Sequence, residues 1–185
     1  GVLHSYILNF PATLCPIGPN ANSSFRGKLY DDIEMSLVGL HPLTQRFTPS
    51  LAKEWAVGPD KHTVFFRLDP DARYSYGVKV EAIDYVFYFY IRLSDNIVAP
   101  YPKQYFREQI ANITIYGSDL LSISLPQPKP LLPYYTSLSP APAHFYAEYG
   151  PDYAERYQWR VPPTTGAYTV LPGGVKKGRS IELSR

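Results

Sequence analysis

The chain has 185 residues, of which 45% are apolar and 18% charged, and its formal net charge is +2. This balance fits neither a disordered chain nor a polyanion binder, and it argues against a nucleic-acid partner. The counts that stand out are 19 Pro and 17 Tyr; average usage would give roughly 9 Pro, so short elements joined by stiff connections are expected, and long bundles and coiled coils are excluded.

The length predicts one domain or slightly more. Cys15 is a single cysteine and cannot form an internal disulfide, and His4, His41, His62 and His144 show no pair at metal-ligand spacing. Neither a metal nor a cofactor is expected. No stretch has the length of a membrane-spanning helix. The N-terminus lacks the basic start and cleavage site of a secretory signal, which leaves a cytosolic chain or one whose signal has been removed. Leu14 before Cys15 is too large for a lipid-anchor site. The triplets beginning at Asn22 and Asn112 read as chance matches to glycan acceptors.

In chain order, Ser5 to Phe10 reads as a short strand entering Pro11, followed by a loop rich in Pro, Gly and Asn. Apolar residues from Phe25 to Leu40 fall near helical spacing, with Ser23 or Ser24 as N-cap and Asp31, Asp32 and Glu34 on the wet side. Thr63 to Leu68 alternates with period 2 and predicts a half-buried strand. A Pro- and Gly-bracketed loop then returns through Tyr74. Ala82 to Leu93 is β-prone by composition, yet Glu81, Asp84, Tyr88, Arg92 and Asp95 recur at helical intervals, with acids first and Arg92 near the end, so a helix is predicted. Ala111 to Tyr116 and Leu120 to Leu125 flank Gly117-Ser118-Asp119 as a hairpin. Prolines from Pro126 to Pro163 then break the chain into short turns.

No catalytic pattern emerges. Gly173 to Ser180 approximates a phosphate-binding loop, but Arg179 stands in place of its lysine and β alternation follows where a helix should, so a basic hairpin turn is expected. There is no G-x-S-x-G elbow, nothing near Cys15 would depress its thiol pKa, and Asp31-Asp32 and Asp69/Asp71 suit solvated or capping roles. The tyrosines could form a stacking platform for sugars or single strands, but Tyr85, Tyr88 and Tyr90 sit in apolar runs and read as core or lobe-interface residues.

The order of segments carries more information. Phe47-Thr48-Pro49-Ser50-Leu51-Ala52-Lys53-Glu54-Trp55, Asp60, Thr63 to Leu68, Ala72-Arg73-Tyr74-Ser75-Tyr76-Gly77 and Val80 to Phe87 resemble the signature of bacterial extracellular solute-binding proteins of family 5, the peptide/nickel class. Leu121 to Leu125 with Pro128 and Leu131-Leu132, Thr165 to Tyr168 and Gly178 to Leu183 resemble later segments of that family. The departures are Asp69 for a basic residue, Tyr76 for Asp, and Val80 for the Thr that would cap the helix, a loss of roughly 1 kcal/mol.

The resemblance implies a mixed α/β (α+β) fold: an incomplete lobe of the periplasmic-binding-protein type II kind with an inserted, smaller β-rich subdomain. Residues 1–35 and 160–185 would belong to the main lobe and 36–159 to the subdomain, with the second lobe absent. It further implies a periplasmic or surface protein that binds oligopeptide or a similar small solute and hands it to the membrane permease of an ABC importer, without catalysis. Asn9, Phe10, Pro11, Ala12 and Thr13 match the family segment that borders the ligand, and Tyr101 and Tyr105 match a region that reaches toward it with an aromatic. Uncovered sheet edges in such a fragment predict self-association. The contrasting expectation is a stand-alone aromatic-rich module for carbohydrate or protein.

Overall fold

The alternation at Thr63 to Leu68 organises the largest core. In the computed structural model, which describes residues 3–31, 33–97 and 100–185 and leaves the side chains of Asp31, Pro100, Tyr101 and Pro102 undescribed, these residues form β4 (Thr63–Leu68), the second strand of a four-stranded antiparallel sheet. Its order is β3 (Ala52–Val57), β4, β6 (Leu120–Ser124), β5 (Asn112–Ile115). Val64 pairs with Ile123 and Phe66 with Leu121, and all four are fully buried, because residues that face each other across a ladder point to the same side. The predicted hairpin at Gly117 to Asp119 joins β5 to β6.

The helix predicted from polar spacing is present as α2 (Ala82–Leu93). Its cap corrects the sequence-based expectation. Glu81 is the N-cap, and Glu81 and Asp84 form a reciprocal capping box, so Val80 costs the helix no cap. Ala82 and Tyr85 of α2, with Phe106 and Ile110, cover the sheet. Phe106 lies on α3 (Pro100–Gln109), which packs against α2. Tyr85 is buried and Tyr88 partly so, as expected of core residues, whereas Tyr90 is exposed.

Two expected elements are different in the structure. Ser5 to Phe10 forms no strand, and Leu3, Tyr6 and Leu8 are exposed. Alternation is local, but a strand also needs a partner ladder, and none pairs with this segment among the described residues. The predicted helix over 25–40 is confined to α1 (Ser24–Arg26), capped by the Ser23 hydroxyl, and a π-helical turn over Gly27–Asp31. Beyond it the backbone is claimed by tertiary bonds: the Met35 N–H donates to Thr165 Oγ1, the Leu37 N–H to the Leu138 carbonyl, and β1 (Val38–Leu40) pairs with β2 (Phe47–Pro49). Asp32 lies outside the described residues, as does the side chain of Asp31.

The Pro-rich stretch holds α4 (Leu132–Thr136) and α5 (Tyr153–Arg156). Its tyrosines build a second core, in which Tyr146, Tyr153 and Tyr157 enclose Cys15, Ile17 and Ile91. A third cluster joins Leu14, Phe25, Leu29 and Val170. The loop that approximates a phosphate site is the turn between β7 (Val175–Lys176) and β8 (Ser180–Ile181), with Gly178 at φ +71°.

Candidate functional site

Residues 9–13 are fastened to Gln158 and Trp159. Thr13 Oγ1 donates to the Gln158 carbonyl at 3.1 Å, the Leu14 N–H to the same oxygen at 2.7 Å, and Gln158 Nε2 to the Ala12 carbonyl at 3.1 Å. Phe10 stacks on Trp159 with ring centroids 6.4 Å apart. Pro11 and Thr13 are buried while Asn9 and Ala12 are exposed. The N–H groups of Asn9, Phe10 and Ala12 make no hydrogen bond among the described residues. The structure therefore presents a held backbone with open donors, which is the arrangement an incoming extended chain can use.

Tyr105 lies on α3, half exposed and edge-on to Phe106 at 5.6 Å. The side chain of Tyr101 lies outside the described residues. Gln158 and Trp159, which anchor the segment, carried no signal in the sequence, since they are about 145 positions away from their partners.

Next to Pro16 and Ile17 the chain encloses a cavity of about 140 Å³, partly open to solvent. Its polar wall is Arg26, Tyr30, Glu34 and Arg92, and its apolar wall is Pro140 to Pro142 with Pro162 and Pro163. Glu34, expected on a wet helix face, instead accepts the Thr165 N–H at 3.2 Å and hydroxyl at 2.6 Å. Burial pushes its carboxyl up to about 7, against the lowering by those two bonds. Burial likewise raises the Cys15 thiol, with the Ile17 backbone bond and Arg92 opposing it. Tyr30 donates to the Leu14 carbonyl at 2.8 Å, and Arg26 Nε donates to that of Pro16 at 3.1 Å. Among the described residues no cluster of three His, Cys, Asp or Glu is placed to hold a metal, and no helix is long and apolar enough to cross a membrane.

The fold is shared with solved structures. NikZ from Campylobacter jejuni in complex with Ni(L-His) aligns over 93% of this chain and 33% of its own, with a TM-score of 0.66 and 22% identity. Haemophilus influenzae OppA in complex with RPPGFSPFR aligns over 88% and 34%, with a TM-score of 0.64 and 20% identity. The Escherichia coli murein tripeptide binding protein MppA gives 88% and 34%, with a TM-score of 0.66 and 19% identity. The chain thus spans about a third of the length of these proteins, and at such identities the likeness is one of fold, the mixed α/β periplasmic-binding-protein fold. No curated protein matches significantly in sequence. Residues 46–185 match the sequence profile of bacterial extracellular solute-binding proteins, family 5 Middle. With most of its length inside that match and its elements in the same spatial order, the chain belongs to the family 5 bacterial extracellular solute-binding proteins.

Proposed function

We propose that this chain is part of a binding protein that captures oligopeptides outside the cytoplasm and delivers them to the permease of an ABC importer. Family membership supports the class, and the peptide-bound OppA structure supports the ligand. The observation that carries the reading is residues 9–13, secured through Gln158 and Trp159 while three consecutive backbone donors apart from Pro11 stay open. Main-chain pairing there recognises any peptide, whatever its side chains. Tyr105 adds an exposed aromatic on α3. Binding without catalysis follows from this role.

In the same reading, 1–35 and 160–185 are main-lobe segments and 36–159 an inserted subdomain. The bonds that join Glu34 and Met35 to Thr165 support a crossing at that boundary. The test is calorimetry of the full-length protein with defined tri- to pentapeptides, comparing Phe10→Asp and Tyr105→Ala with the unsubstituted protein after thermal unfolding has established that each is folded. Weaker binding in both is expected. Unchanged affinity in both removes these residues from the site, and absence of peptide binding by the unsubstituted protein removes the ligand class.

A further inference from the structure

The basic turn that only approximates a phosphate loop lands beside residues 9–13. β7 and β8 are joined through Lys177 and Gly178, with the Arg179 N–H donating to the Lys176 carbonyl at 2.9 Å and the positive φ of Gly178 closing the turn. Val175 and Ile181 face each other across the hairpin and pack on the cluster of Leu14, Phe25, Leu29 and Val170, as Trp159 does. One apolar base thus fixes the hairpin and the indole relative to each other. The Lys177 ammonium lies 4.1 Å from the centroid of the Trp159 ring.

Trp159 is also the ring on which Phe10 stacks, with centroids 6.4 Å apart. The two separations together put the ammonium within about three residues' length of the Phe10 ring, at ~3.4 Å per residue of extended chain. An indole attracts a cation through the negative face of its ring, and the N–H donors that point away from that face remain available to an oxygen. Lys177 is exposed and, among the described residues, makes no ion pair. Held over the ring before a ligand arrives, it loses less side-chain freedom on pairing than a loose surface lysine does.

We propose that Lys177 is a specificity-determining residue of the peptide site, favouring peptides that bring a carboxylate to the Phe10–Trp159 pair, either the C-terminal carboxylate or an acidic side chain. The assignment rests on the reading of residues 9–13 as the capture segment. Main-chain pairing along that segment treats all peptides alike, so discrimination has to come from a group at its border, and the Lys177 ammonium is a charge fixed there by packing. Trp159 acts as its positioning residue, holding Phe10 and Lys177 to one ring.

The experiment is calorimetry of the full-length protein with three peptides: tetra-alanine as the free acid, tetra-alanine amide, and the amide with one Ala replaced by Glu. At least one carboxylate-bearing peptide should bind about two- to fivefold tighter than tetra-alanine amide, the range of an exposed ion pair, and added NaCl should shrink that margin. A margin for the free acid identifies the terminal carboxylate, and a margin for the glutamyl amide alone identifies an acidic side chain. Lys177→Gln should erase the margin and Lys177→Glu should reverse it, whereas Lys53→Gln, exposed on β3, should keep it. A margin that survives in both Lys177 variants, or equal binding of all three peptides by the unsubstituted protein, overturns the assignment and leaves peptide capture standing. Binding of none of the three removes peptide capture and the assignment with it.

Discussion

Asp84 and Ala143 are 59 residues apart, yet the carboxylate of Asp84 accepts the Ala143 N–H at 3.0 Å, with its other oxygen on the Glu81 N–H, also at 3.0 Å. The Ala141 N–H donates to the Asp84 carbonyl at 3.1 Å. One buried residue thus caps α2 and pins to it the proline loop that walls the cavity. Burial raises the Asp84 carboxyl above its ordinary range, and the two N–H donors oppose that rise.

Removing that carboxylate orphans two backbone donors. Asp84→Ala should destabilise the chain by about 2–3 kcal/mol, measured by urea denaturation. Asp84→Asn keeps one acceptor but turns an amide N–H toward the other donor, so an intermediate loss is expected. A neutral Asp84→Ala result would show that the loop is held by other contacts.

Glu34 predicts how stability depends on pH. Its carboxyl titrates near 7 in the folded chain against an ordinary 4.5, so between those values the folded state binds the extra proton. The stabilising contribution is complete below about 4.5 and is lost as pH rises through about 7, by roughly 3 kcal/mol at most. Glu34→Gln should flatten the profile of unfolding free energy between pH 5 and 8. A variant with the same slope as the unsubstituted chain would assign the dependence to other groups.

Gly166 is where the two crossing segments touch. A Cβ built there overlaps the Ile33 carbonyl oxygen and side chain, so Gly166→Ala has to push the backbones apart. A loss of about 1–3 kcal/mol is expected, in the range for overpacking, together with weakening of the Glu34–Thr165 bonds. Thermal unfolding of the variant checks it, and an unchanged midpoint would mean that the crossing yields freely.

Phe66 is fully buried between β3 and β6. Phe66→Ala should cost about 3–5 kcal/mol. Hydrogen exchange should be slowest at Val64, Phe66 and Leu121 and fastest over Ser5 to Asn9, whose backbone has no partner among the described residues. Equal protection in the two regions would show that the N-terminal segment pairs with another copy of the chain.

Where information was local, the sequence alone was enough. Period-2 burial placed β4 at Thr63–Leu68, the β5–β6 hairpin followed from its turn, and the 3-4-4-3 spacing of polar groups outweighed the β propensity of Tyr85 to Ile91 to place α2. Ordered short motifs pointed to the family. Tertiary structure decided what depends on distant partners. Ser5 to Phe10 had the pattern of a strand but no ladder among the described residues, and Val38 to Leu40, at the end of the stretch read as helical, pairs with Phe47–Pro49. Glu34 looked like a solvated residue until Thr165 buried it, and Arg92, read as a helix-end charge, lines a cavity with Pro140, Pro142, Pro162 and Pro163. Propensity and periodicity are properties of neighbours in sequence, whereas burial and hydrogen-bond partners are set by residues that only the fold brings together, 131 positions apart for Glu34 and Thr165 and 59 for Asp84 and Ala143.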